Sequence, residues 1–169
     1  MIRSWKGKTP KVHPSAFVSE AAYVIGDVEI GENTGIWPGT VIRADSGKIT
    51  IGKNSNIQDN SVVHSDADAR IGDGVTIGRL VMWHGRLIAN NCLIGNGATV
   101  NDGVEMEEFS IIAAGAMVLD EMKIPSRTLV MGVPARPRGP IATRHEKLIK
   151  ETAIHYVERC KQYKAEGLE

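Results

Sequence analysis

Two histidines, His64 and His84, each directly follow an apolar residue, Val63 and Trp83, inside the stretch NIQDNSVVHSDADARIGDGVTIGRLVMWHG that runs from Asn56 to Gly85. If Val63 and Trp83 stack as core positions, the imidazoles stack as well, and two ring nitrogens at that separation can bracket one ion at about 2.0–2.1 Å. A catalytic zinc site takes three protein ligands and leaves the fourth place to water. No third donor is obvious on the same face of these two segments; the bland alternative is a pair of solvated or interface histidines. His13 precedes Pro14, and His145 and His155 fall on or near a C-terminal helix, where nothing in their setting asks for chemistry. Cys92 and Cys160 read as core positions rather than nucleophiles.

What must position the pair is a repeat of six. Val12, Val18, Val24, Ile30, Ile36 and Ile42 share one register; after a short insertion it resumes at Ile51, Ile57 and Val63, and after another at Ile71, Ile77 and Trp83. One five-residue step leads to Ile88, Ile94, Val100, Met106, Ile112 and Val118. Two residues earlier stands a small or β-branched partner, as in Ala16, Thr34, Ser55, Ser61, Val75, Ala98 and Ala116, and alternation sends both columns to one side of a strand. Arg86 breaks that second column. Glycine often follows the aliphatic residue, where a corner can use positive φ.

Such periodicity predicts an all-β solenoid, a left-handed parallel β-helix of hexapeptide repeats. Three hexads make a coil, coils are spaced by roughly 4.8 Å, and Val12 to Val118 leaves room for about six, a prism near 30 Å long. Val63, Ile71, Ile77 and Trp83 span one full coil, so His84 should stack on His64, both facing outward. The register is expected to end after Val118 in a proline- and glycine-punctuated connection. From about Thr143 to Ala165, Leu148, Ile149, Ala153, Tyr156, Val157, Cys160 and Tyr163 recur at helical spacing. The expected organisation is a β-helix domain over residues 1–140 and a helix packed on the prism over 141–169.

Composition bounds the partners. Twenty basic and twenty acidic residues cancel, which gives no footprint for nucleic acid or an anionic membrane. No apolar run approaches the ~20 residues of a membrane span, and the opening MIRSWKGK lacks the apolar core of a signal peptide. Two cysteines offer no disulfide framework. The expectation is a cytoplasmic protein.

The run VIRADSGKITIGKNSNIQDNSVVH, followed by VTIGRLVMWHG and LVMGVPAR, resembles the γ-class carbonic anhydrases and their relatives among accessory proteins of phenylacetate and carnitine metabolism. The resemblance covers nearly the whole chain. It implies a homotrimer with zinc, iron or cobalt between subunits, two ligands from one subunit, here His64 and His84, and a third from its neighbour. It also implies site roles for Arg43, Asp45, Gln58 and Asp59: Gln58 holding the attacking oxygen, Arg43 and Asp59 pairing across the interface. The implied activity is hydration of carbon dioxide to bicarbonate, the metal lowering the pKa of its water to about 7.

One departure matters. Where the family reads V-T-I-G-H, this chain reads Val75-Thr76-Ile77-Gly78-Arg79. A guanidinium stays protonated, has no lone pair for a metal, and repels a dication. The expectation is therefore an impaired or metal-poor site, with Arg79 instead holding bicarbonate or another small anion. The short loop Ser65-Asp66-Ala67-Asp68-Ala69 offers only Asp66 and Asp68 as proton shuttles. Rival readings are an active anhydrase using His145 or His155 as replacement donor, an acyl-coenzyme A-dependent acyltransferase, whose hexapeptide repeat and G-x-P-A-R ending the chain shares, and a non-catalytic anion-binding or accessory protein.

Overall fold

Each hexad alternates inward and outward side chains and then turns a corner, so the strands are mostly two residues long and pair in parallel with the strand one coil away. The computed structural model describes residues 1–169. A twelve-stranded sheet wraps two sides of the prism and an eight-stranded sheet forms the third. The fold is the expected left-handed β-helix, with one helix, α1, over Thr143–Ala165. That helix is not long and apolar enough to cross a membrane.

The two predicted columns are the core. Ile36, Ile42, Ile57, Val63, Ile71, Ile77 and Trp83 are buried, and so are Thr34, Thr40, Ser55, Ser61, Val75, Ala98 and Ala116 beside them. Each fully buried aliphatic side chain contributes about 1.5–3 kcal/mol. The buried hydroxyls stay satisfied by crossing to the next coil: Ser61 Oγ donates to the Gly78 carbonyl at 2.6 Å and Ser55 Oγ to that of Gly72 at 2.8 Å. One continuous cluster of 31 buried residues extends from Ala16 to Ala135, so the prism has a single core.

The structure departs from the sequence reading at three places. The register does not end at Val118: Ile124 and Val130 continue it in steps of six, both buried, on strands paired with Met106 and Ile112 one coil back. The third side therefore carries seven parallel strands rather than six, and the eighth, Ala135–Pro140, turns back antiparallel on Thr128–Gly132. Pro125 misled the reading because proline is tolerated at a corner, where no ladder bond is needed.

Second, most glycines after the aliphatic residue do not use positive φ. Gly31, Gly52 and Gly72 stack instead, and a Cβ on Gly31 would stand 2.7 Å from the backbone of Gly52, as one on Gly52 would from that of Gly72. Positive φ falls later in the corner, on residues such as Asn33, Asn54, Gly74 and Leu80. Arg86, which breaks the second column in the sequence, accordingly turns outward to Glu105. Third, Leu148 is exposed, while Ile149, Ala153 and Cys160 carry the buried stripe of α1. The helix is fastened by aromatic edges: Trp37 meets Tyr163 at 5.0 Å and Tyr156 at 5.2 Å between ring centroids, with Phe17 beneath.

Candidate metal centre

Strand pairing brings the histidines together. Trp83 is the direct partner of Val63, and Arg43 of His64, so Arg43, His64 and His84 follow one another along an outward column. The imidazoles lie with centroids 4.8 Å apart, His64 Nδ1 only 2.7 Å from His84 Nε2. His64 is 8% exposed.

Carboxylates fix which nitrogens hold protons. Asp45 accepts from His64 Nε2 at 3.1 Å, and Asp102 accepts from His84 Nδ1 at 2.5 Å. Arg43, donating to Asp45 at 2.5 Å, holds that carboxyl below the usual carboxylate range; burial opposes the shift and the His64 hydrogen bond adds to it. An ionised carboxylate only accepts, so each ring turns its N–H outward and leaves a lone pair on the facing nitrogen. Two lone pairs at this distance repel unless a cation or a proton lies between them. Carboxylates behind ligating imidazoles are the usual support of a metal site, because they set the tautomer and raise ligand basicity. The residues present therefore fit a divalent ion held by His64 Nδ1 and His84 Nε2. On one tetrahedral ion the two nitrogens would sit about 3.3 Å apart, so the rings need part by only about 0.6 Å.

The sequence reading saw no third donor on this face, and the structure supplies a candidate. One donor atom from each of His64, Asp66 and His84 lies within 4.8 Å of the others. Beside them opens a groove of about 520 Å³ whose lining includes Asp66, Asp68, His84, Arg86 and Asp102. Asp68 is already used, its Oδ1 accepting from the Lys48 backbone N–H at 2.8 Å. Asp102 was missed altogether. The signal was available one coil further on: Val100 stacks on Trp83, which brings the residues after Val100 alongside His84.

Gln58, Asp59 and Arg79 gather at a different corner. Arg79 Nη1 donates to Gln58 Oε1 at 2.9 Å, Nη2 donates to the Tyr156 hydroxyl at 3.0 Å, and Nε lies 3.4 Å from Asp59. Gln58 in turn donates from Nε2 to Asn56 Oδ1, and Asn56 donates from Nδ2 to Thr76, each at 3.0 Å. Gln58 is thereby buried rather than surface-polar. Within the chain Arg43 pairs with Asp45 and Asp59 with Arg79, and Tyr156 is a partner that the sequence reading had assigned only to the helix stripe. His145 folds back on the start of α1, where its Nδ1 accepts from the Ala142 N–H at 3.2 Å, and His155 lies edge-on to Tyr156. Burial pushes the Cys92 thiol up to about 12 and the Cys160 thiol up to about 11, so neither is a nucleophile near neutral pH.

Comparison with known proteins gives a consistent picture. No protein-family model matches the chain. A carbonic anhydrase of Geobacillus kaustophilus is 40% identical over 167 residues, covering 98% of this chain and 92% of that protein. The mitochondrial gamma carbonic anhydrase 1 of Arabidopsis thaliana is 39% identical over 168 residues, 95% of this chain; the match spans 61% of that relative's length. Among solved structures, a hexapeptide transferase family protein from Anaplasma phagocytophilum superposes with a TM-score of 0.93 at 37% identity, covering 96% of this chain and 98% of its own.

Proposed function

The chain belongs to the γ-class carbonic anhydrase family, and from that premise we propose that it is a homotrimeric carbonic-anhydrase-like protein whose metal centre is weakened by Arg79. The observation that carries this reading is the facing pair of lone pairs on His64 Nδ1 and His84 Nε2, set by Asp45 and Asp102. A divalent ion there, zinc, iron(II) or cobalt(II), would supply the Lewis acidity that makes water nucleophilic toward carbon dioxide near neutral pH. The protein's own part is to hold the imidazoles: Arg43 keeps Asp45 ionised, and Asp45 keeps His64 in the donor tautomer. Gln58 has its amide engaged at both ends, by Arg79 and Asn56, at the neighbouring corner.

Assembly is supported by an apolar stripe beside the histidine column. Tyr23, Val41, Val62, Met82, Thr99 and Met117 are successive strand partners, all outward, and the larger of them are exposed. A contiguous exposed stripe of this kind is what further copies of the chain would cover. In such a trimer Arg79 replaces the histidine that a neighbour contributes in the family pattern, so one ligand is lost and a positive charge is added nearby. Arg79 gives less support to an anion-holding role than its sequence suggests, because both ends of its fork are occupied by Gln58 and Tyr156.

Elemental analysis of protein purified without chelator tests the reading: well under one zinc per chain is expected, and near one per chain would overturn it. Arg79→His should raise zinc content and carbon dioxide hydration in stopped-flow assays. The structural likeness to a transferase keeps acyl transfer as the second reading. A thermal shift with coenzyme A separates the two, since stabilisation is expected only for an acyltransferase.

A further inference from the structure

Three aspartates surround the imidazole pair, and they differ in what they are free to do. Asp45 is spent on Arg43 and on His64 Nε2. Asp102 is spent on His84 Nδ1. Asp66 makes no hydrogen bond; it stands 4.0 Å from His64 Nε2, the nitrogen that donates to Asp45, and its side chain is 73% exposed. It stands on the loop between His64 and Ala69, which is anchored two residues later where Asp68 receives the Lys48 N–H. An uncommitted carboxylate on a short tethered loop, with an oxygen within 4.8 Å of one ring nitrogen of each histidine, stands close enough for the loop to carry it to an ion between the rings.

We propose that Asp66 is the third protein donor, so that the centre closes within a single chain as two imidazoles and one carboxylate and does not wait for a neighbour's residue. The inference rests on reading His64 and His84 as a metal-binding pair. It changes the donor set of the site. A carboxylate is a harder ligand than imidazole, and two histidines with one carboxylate and open positions hold iron(II) in non-haem sites and zinc in hydrolytic ones. The negative charge of Asp66 also offsets the cation that Arg79 adds to an assembled trimer, which a third histidine could not do.

The test is titration of full-length metal-free protein with cobalt(II), followed by its visible absorption and by calorimetry. Asp66→Asn should weaken cobalt binding at least tenfold and alter the spectrum. Asp68→Asn, which keeps an oxygen for the Lys48 N–H, should leave affinity within about twofold. Cobalt binding by Asp66→Asn equal to that of the unmodified chain overturns the proposal. His64→Ala separates the two readings. If His64→Ala loses cobalt while Asp66→Asn keeps it, only the role of Asp66 fails; if both keep it, the imidazole pair itself is not the site.

Discussion

The histidine face and the Arg79 corner are built on the same register, one hexad apart, yet one is left open and the other closed. At the face, the facing nitrogens of His64 and His84 have no partner but each other, and Asp66 makes no hydrogen bond. At the corner, each guanidinium nitrogen of Arg79 that carries a contact finds it inside the chain, on Gln58, Asp59 or Tyr156. A column of outward positions can therefore hold either a ligand site or a strut, and what decides is whether neighbouring side chains satisfy the group. Arg79 is such a strut, joining helix α1 to the prism through Tyr156.

The largest effect should come from the core residue beneath the face. Trp83→Ala removes a buried indole from the stack beneath His84 and should cost about 3–5 kcal/mol in denaturant unfolding. Metal affinity should fall with it while α1 stays docked, as read by Tyr and Trp fluorescence; undocking would show that the two regions are not separable. A smaller effect tests the strut. Arg79→Ala should destabilise by about 1 kcal/mol, since the guanidinium is half exposed. Combined with Tyr156→Phe it should be non-additive by about 0.5–1 kcal/mol. Strict additivity would remove Arg79 as the link between helix and prism.

The smallest effect is a pH dependence at the face. Because the Asp45 carboxyl is held below its usual range, its contribution is present above the unfolded value of about 3.9 and is lost as pH falls through the folded one. NMR signals of His64 should therefore keep changing as pH falls below about 3.9, where the Asp45 carboxylate is lost, and Asp45→Asn should abolish that change. An unaltered response in Asp45→Asn would remove Asp45 as the support of His64.

The fold was legible because a period of six held over many coils leaves few other structures. Even its misread end, Ile124 and Val130, kept the same count, and only the prolines around it suggested a stop. The stacking of His84 on His64 followed from that count alone, as did the outward direction of Arg43. The supporting carboxylates did not follow, because Asp102 comes from the next coil and its relation to His84 depends on where the corner turns. The closure of Arg79 on Tyr156 joins residues 77 positions apart through a helix whose docking angle no repeat encodes.

The antiparallel return of Ala135–Pro140 on Thr128–Gly132 has a consequence for solubility. A stack of short parallel strands has the spacing of a cross-β fibril, and an uncovered end offers unpaired amides to any chain that arrives. By reversing direction at the final strand of the third side, the protein presents a ladder there that another prism cannot extend in register. The hairpin makes that end of the third side a terminus rather than a growth point.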